Sequence, residues 1–232
     1  MAARQTLDHQ PRPGVRPKKG RRDRLIALTE AHPDWALGFA DAVWWSRLAQ
    51  PSLHSWAEAA QPVRLVEQAI PSNDPDPKAL ACYGLLLRRS VLGVPDEQVW
   101  LRFVDGRPVS AITEQFLAWC CARLQALGAP VWVLIWDNAS WHVSKAVRAW
   151  IRAHNRAVKL RGSGVRVLVC HLPVKSPWLN PIEPKWVHSK RAIVEPARLL
   201  SAQEVADRVC SYHGCPHEPH LSLPDPVLDK AS

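Results

Sequence analysis

SPWLNPIEPKW, residues 176–186, sets three prolines and two tryptophans around one carboxylate, Glu183. Pro177 and Pro181 restrict the backbone ahead of the acid, and Pro184 follows it directly. Asn180 suits a helix N-cap and Pro181 the first helical position, which puts Glu183 in the first turn. Pro184 would then lack the N–H that bonds back to Asn180, so the other reading starts the helix at Pro184 with Glu183 at the cap. Both readings present one acid on a rigid turn at a helix start. Lys175, Lys185, Lys190 and Arg191 surround it in sequence. An acid held rigidly in a basic setting points to a metal ion and a phosphate ligand. The plain alternative is a capping carboxylate favoured by the helix dipole.

Working outward, charge is unevenly spread. The 232-residue chain has a net charge of +9. Residues 142–198 hold twelve Lys/Arg against two Asp/Glu, and residues 1–24 hold eight against two. The block with Glu183 is therefore strongly basic, which favours a polyanion partner such as DNA. No apolar run approaches the roughly 20 residues of a membrane span, so no membrane partner is expected. The start of the chain lacks the apolar core of a signal peptide, and a cytoplasmic location is expected. Hydrophobic content of 47% supports a packed core. Most of the six cysteines sit in apolar runs and read as reduced core residues.

Residues 1–30 read as a basic arm or linker, disordered or partly helical, with a short helix over 21–31. Residues 35–40 (WALGFA) form an apolar strand ending at Asp41, and Val43, Trp44 and Trp45 continue it through a turn into a second strand. A further edge segment falls at 62–70, a loop at 71–77, and strands at 79–87 and 99–104, followed by an Asp105-Gly106 turn. Phe116, Leu117, Cys120, Cys121, Leu124 and Leu127 make one helical stripe stopped by Gly128. VWVLIW at 131–136 is a continuous apolar run and reads as a central strand. A helix follows from Val143, with Lys145, Arg148, Arg152 and Arg156 along one face. Residues 165–170 are the last strand, and Ser201–Glu204 is a capping box that opens a helix to Tyr212. Strands separated by helices imply an α/β fold: a mixed sheet, its later strands parallel, with helices on its faces. The domain spans 31–212, and 213–232 is a polar, proline-rich tail without a core-forming pattern.

Asp41 and Asp137 each end an apolar strand run, and open α/β sheets bind ligands at that end. Glu183 follows the last strand across its rigid turn. Carboxylates without accompanying Cys or neutral His favour hard cations such as Mg²⁺ or Mn²⁺. Asp residues after strands are also common turn residues, and Asp34 and Asp105 compete with Asp41.

IWDNASWH at 135–142, taken with SPWLNPIEPKW at 176–186 and FADAVWWSR at 39–47, resembles the catalytic core of DDE transposases. The branch is that of bacterial insertion sequences related to mariner elements, and the similarity runs across most of 21–218. The resemblance implies a ribonuclease H-like mixed five-stranded sheet with helices on both faces. It implies that Asp41, Asp137 and Glu183 are catalytic and hold two Mg²⁺ or Mn²⁺ ions for DNA cleavage and strand transfer. Lys145, Arg148, Arg152, Lys175, Lys185, Lys190 and Arg191 are the candidate DNA contacts, with Asn138, His142 and Asn180 supporting the acids. The partners so implied are transposon ends and target DNA, a second copy in an active homodimer, and a helix-turn-helix polypeptide encoded separately. Localisation would be bacterial and nucleoid-associated. Ala42 stands where the family usually has an acid, and the 46 positions from Asp137 to Glu183 exceed the common spacing. Residues 152–165 read as an insertion between helix and strand. The alternatives are an inactive DNA-binding remnant and another nuclease on the same fold.

Cys210, His213, Cys215, His217 and His220 crowd the end of the chain but fit no standard zinc spacing. Trp141, Trp178 and Trp186 flank the acids, either as stacking platforms for unpaired bases or as the wall of the site.

Overall fold

The computed structural model describes residues 15–48, 70–91, 93–193 and 198–223. Its elements are α1 (Val15–Glu30), β1 (Ala36–Ser46), β2 (Ala79–Val91), β3 (Val94–Val104), α2 (Ser110–Ala126), β4 (Val131–Trp136), α3 (Lys145–Arg161), β5 (Arg166–His171), a 3₁₀ turn at Pro177–Leu179, α4 (Glu183–Ile193) and α5 (Ala202–His213). The expected edge segment at 62–70 lies outside the described residues except for Ile70.

The five strands form one sheet in the order β3-β2-β1-β4-β5. β1, β2 and β3 meander antiparallel, while β4 is parallel to both β1 and β5. Alternation sends Trp132, Leu134 and Trp136 of β4 to one face, against Ile112, Phe116, Leu117, Cys120 and Leu124 of α2 and Val147 of α3. Val133 and Ile135 point to the other face, against Trp186 and Ile193 of α4 and Val205, Ala206 and Val209 of α5. Both faces of the sheet are thus covered, which is why β4 is apolar throughout.

Four sequence expectations are revised. β1 does not break after Ala40: it runs from Ala36 to Ser46, because β2 pairs with it over Leu37–Ser46. Asp41 is therefore inside a strand rather than at its end. Residues 15–30 form one helix against β1, β4 and β5, with Leu25 and Ile26 packed on the second core. Its Arg21 and Arg22 donate to the carbonyls of Val169 and Leu179. Residues 152–161 are not a loop insertion but the last part of α3, nearly three turns, closed by Gly162 in the left-handed region (φ 67°). The tail also contributes to the core: Leu221 is buried, donates its N–H to Phe103 O and accepts from Asp105 N. The capping box at Ser201 and Glu204 forms as read.

One buried ion pair joins the loop before β2 to the start of α5. Arg47 is 3% exposed, grips both oxygens of Asp74 at 2.9 and 2.8 Å, and donates its Nε–H to Leu200 O.

Candidate active site

The parallel pairing of β1 with β4 runs from Ala36–Trp132 to Phe39–Ile135. Continuing that register sets Asp41 level with Asp137, just past the end of β4. Period-two alternation places Asp41 on the same face as Leu37, Phe39, Val43 and Trp45, so one carboxylate is inserted into an otherwise apolar row. Directly opposite on β2 stands Gly84. A Cβ there would lie 2.4 Å from the Trp186 ring, so only glycine lets the indole lie over the sheet. Trp186, buried in α4, donates its Nε1–H to Asp41 Oδ2 at 2.9 Å, and Ala42 N–H donates to Asp41 Oδ1 at 2.8 Å.

Asp137 opens the turn after β4. His142 is 1% exposed, stacks on Trp136 with centroids 4.4 Å apart, and reaches Asp137 Oδ1 with Nδ1 at 2.6 Å. Asn138 donates to Leu172 O and so ties this turn to the end of β5. His171, the last residue of β5, lies 3.3 Å from Asp137 O. Glu183 is the first residue of α4, its N–H bonded to Asn180 O, so the helix begins one position before Pro184. Asn180 is buried and donates to Ala40 O, next to Asp41, which fixes the turn against β1.

The three acids feel one another. Burial first, then the neighbouring Glu183 charge, with a smaller push from Asp137, raises Asp41 to about 7 against the pull of Trp186. Glu183 is raised by burial and by Asp137, with Lys190 opposing. Burial works against Asp137 as well, but the His142 hydrogen bond, the Ala139 N–H and the His171 ring bring it below the ordinary range. Burial lowers His171, and Arg148, His142 and Lys18 lower it further.

Asp137, Asn138, Lys175, Ser176, Asn180 and Glu183 line a cleft of about 270 Å³. Asn180 Oδ1 and Ser176 Oγ are buried there without partners. Lys175 sits at its rim in the left-handed region (φ 57°), which is uncommon for a residue with a side chain. Lys145, Arg148 and Arg152 are exposed along α3, and Arg191 is exposed on α4. Lys190 lies 6.0 Å from the Trp45 ring centroid and near enough to Glu183 to lower it. Lys185 departs from the expected basic surround: its Nζ is 2.7 Å from Glu97 Oε1 on β3, because the helix turns that position toward the sheet edge. Of the flanking tryptophans, Trp186 is buried, Trp141 is partly buried against the core, and Trp178 is 72% exposed. His171 and Lys18 are the residues that the sequence reading passed over. His171 had a signal, since it ends an apolar strand as Asp137 does. Lys18 had none, because nothing in 1–24 told of a helix docked on the sheet.

A family model described as DDE superfamily endonuclease matches residues 80–205, more than half of the chain. The chain belongs to the DDE superfamily endonucleases. The match contains Asp137 and Glu183, while Asp41 lies outside it and joins them through the sheet register. Among curated proteins nothing matches. Among solved structures, the Mos1 transposase paired-end complex with left transposon end matches at a TM-score of 0.57 and 16% identity, over 93% of this chain and 59% of that one. The mariner Mos1 paired end complex with Mg gives 0.58 at 15% identity, over 92% and 58%. The catalytic domain of Mos1 mariner transposase gives 0.53 at 14% identity, over 90% and 84%. At these identities the likeness is one of fold. The DDE endonuclease chain spans 59% of the transposase chain in that first complex.

The donor chemistry suits a hard divalent cation: three carboxylates, two of them raised by burial and then by a neighbouring acid, beside the unpartnered Asn180 oxygen. Among the described residues no three His, Cys, Asp or Glu side chains are gathered closely enough to hold a metal ion together. Trp186 and Ala42 hold Asp41, while His142 and Ala139 hold Asp137 Oδ1.

Proposed function

We propose that this chain is the catalytic domain of a transposase that cuts DNA strands at the ends of an insertion sequence and joins them to target DNA. The observation that carries the reading is that Asp41, Asp137 and Glu183, from three separate elements, lie near enough to one another for their charges to interact. These three acids would hold two Mg²⁺ or Mn²⁺ ions. Bound there, the ions supply an activated water or hydroxyl and a counter-charge for the leaving oxygen of a phosphodiester.

The chain's own residues do the rest. His142 holds Asp137 in one orientation and favours its charged form. Trp186 fixes Asp41, and its ring closes the floor of the site. Asn180 ties the Glu183 turn to β1. Lys145, Arg148, Arg152, Lys175, Lys190 and Arg191 hold phosphates and position the duplex without reading its sequence. Lys185, engaged by Glu97, has a smaller share. A second copy and a separate helix-turn-helix polypeptide complete the active assembly, which works on nucleoid DNA in the bacterial cytoplasm.

Glu183→Gln tests the reading. Gln keeps the volume of the turn but removes one of three negative charges, so metal-dependent nicking of plasmid DNA should fall by orders of magnitude. Filter binding without metal should give equal or slightly tighter DNA affinity, because an acid has been removed from a basic surface. Nicking at the wild-type rate would reduce Glu183 to a helix-capping acid. Strand-transfer products separate a transposase from another nuclease of this fold, and a wild type that never nicks is the DNA-binding remnant.

A further inference from the structure

Beside β3, an edge strand of the sheet, His217 and His220 face each other with their Nε2 atoms 3.2 Å apart. Each ring is backed by a carboxylate on its other nitrogen. His217 Nδ1 lies 2.7 Å from Asp207 Oδ1 of α5, and His220 Nδ1 lies 2.7 Å from Asp105 Oδ1 in the turn after β3. Phe103 stands behind both rings, with centroids 5.6 Å away. His217, His220 and Asp105 line a hollow open to solvent, together with Gln203, Glu218 and Pro219.

The hydrogen bonds assign the protons. A carboxylate accepts only, so each Nδ1 at 2.7 Å from one carries the hydrogen. Gln203 Nε2 also lies 3.3 Å from His217 Nδ1, but it is 3.0 Å from both oxygens of Asp207 and donates there. Each neutral ring then presents a lone pair at Nε2, and the two lone pairs point at each other. That arrangement repels unless a cation sits between them. Either one imidazole takes a second proton, or both nitrogens bind one metal ion. Zn–N bonds of about 2.0–2.1 Å at a tetrahedral angle put two ligating nitrogens roughly 3.3 Å apart. The observed separation matches. A carboxylate on the far nitrogen is the arrangement that fixes the tautomer and orientation of a metal-binding histidine.

The geometry points to a surface site at which His217 and His220 chelate one late first-row divalent cation of the zinc class through their Nε2 atoms. Asp207 and Asp105 act as the orienting carboxylates. Imidazole nitrogen suits zinc, copper and nickel, unlike the all-carboxylate set around Asp137. Glu218 lines the same hollow, but its Oε1 is held by Arg123 at 2.9 Å, so water completes the coordination. Cys210, Cys215 and His213 take no part. Cys215 Sγ turns to Cys210 O, and the His213 ring packs edge-on to Trp186. The ion clamps the tail to the sheet, since His217 is tied to α5 and His220 to the turn after β3. Leu221, next in the chain, already bridges to Val104.

The test is a Zn²⁺ titration of the chelator-treated full chain against a competing colorimetric chelator, with excess Mg²⁺ present to occupy the acid cluster. Wild type should take up one zinc ion that the His217→Gln/His220→Gln variant does not, with affinity at that site reduced at least about tenfold in either single variant. Asp105→Asn, at a side chain 60% exposed, leaves packing intact and should weaken zinc by about 10–100-fold. Saturating zinc should raise the melting temperature of wild type and leave that of the double variant unchanged. Equal zinc uptake and affinity in wild type and the double variant would overturn the site. So would a wild type that binds none under Mg²⁺, in which case the two rings share a proton.

Discussion

Replacing Asp41 by Asn should stabilise the metal-free protein while removing its activity. The folded Asp41 sits at about 7 instead of 3.8, because burial and the Glu183 charge penalise its ionised form. A folded-state pKa above the unfolded one means that stability is fully present below the unfolded value and is lost as pH rises through the folded one. Wild type therefore loses stability between about pH 4 and pH 7, and the loss levels off above. A shift of about three units corresponds to ~4 kcal/mol at most. Asn removes that penalty but cannot accept both existing hydrogen bonds. Trp186 Nε1–H and Ala42 N–H donate to different oxygens of Asp41, and the Asn amide would face one of them donor to donor. That mismatch costs about 1–3 kcal/mol. The net gain above pH 7 should be ~1–3 kcal/mol. The assay is urea denaturation of both proteins in EDTA across pH 4.5 to 8.5. The variant's advantage should grow with pH up to about 7 and then stay constant. An advantage that is absent, flat or shrinking with pH would show that Asp41 carries no such charge penalty.

Gly84→Ala should push Trp186 off the sheet and away from Asp41, costing about 1–3 kcal/mol by overpacking and lowering nicking with it; thermal melts and plasmid nicking check both. His142→Gln should raise the carboxyl of Asp137 and cost about 1–3 kcal/mol near neutrality, less as pH falls below the ordinary carboxylate range, since a lowered acid contributes stability only above its unfolded pKa. Denaturation at several pH values reads this out. Arg148→Ala with Arg152→Ala should weaken DNA binding about equally for all sequences and make the salt slope shallower by roughly two, as measured by filter binding over a salt series.

Much of this molecule was legible in its sequence. VWVLIW declared the central strand through its unbroken apolar run, and the SxxE box declared α5. Asp137 and Glu183 stood at turns whose composition marked them. Asp41 was harder, because a strand bearing an acid inside its apolar face looks like a strand that ends there. What settles the matter is pairing with β2, a partner some 40 positions away whose register no local pattern reveals. The length of α3 was hidden because the long spacing from Asp137 to Glu183 made residues 152–165 read as an insertion, even though Arg156 fell on the helix face. Asn155 in fact makes a two-way hydrogen-bond clasp with Val167 on β5, a contact made only once the helix lies on the sheet. The role of the tail was invisible for the same reason, since Leu221 stands in a short polar, proline-rich stretch and its partner is the backbone of Phe103.

Asp41 is woven into the sheet, whereas Asp137 and Glu183 stand on turns beyond it. The site therefore works like a vice with one fixed jaw. Any tightening needed to grip an ion must come from the two turns moving toward β1, and Asn138 and Asn180 are the bolts that limit their travel. A substitution that loosens either bolt would leave the acids, the fold and the basic face in place. It would blur only the alignment on which an in-line displacement depends.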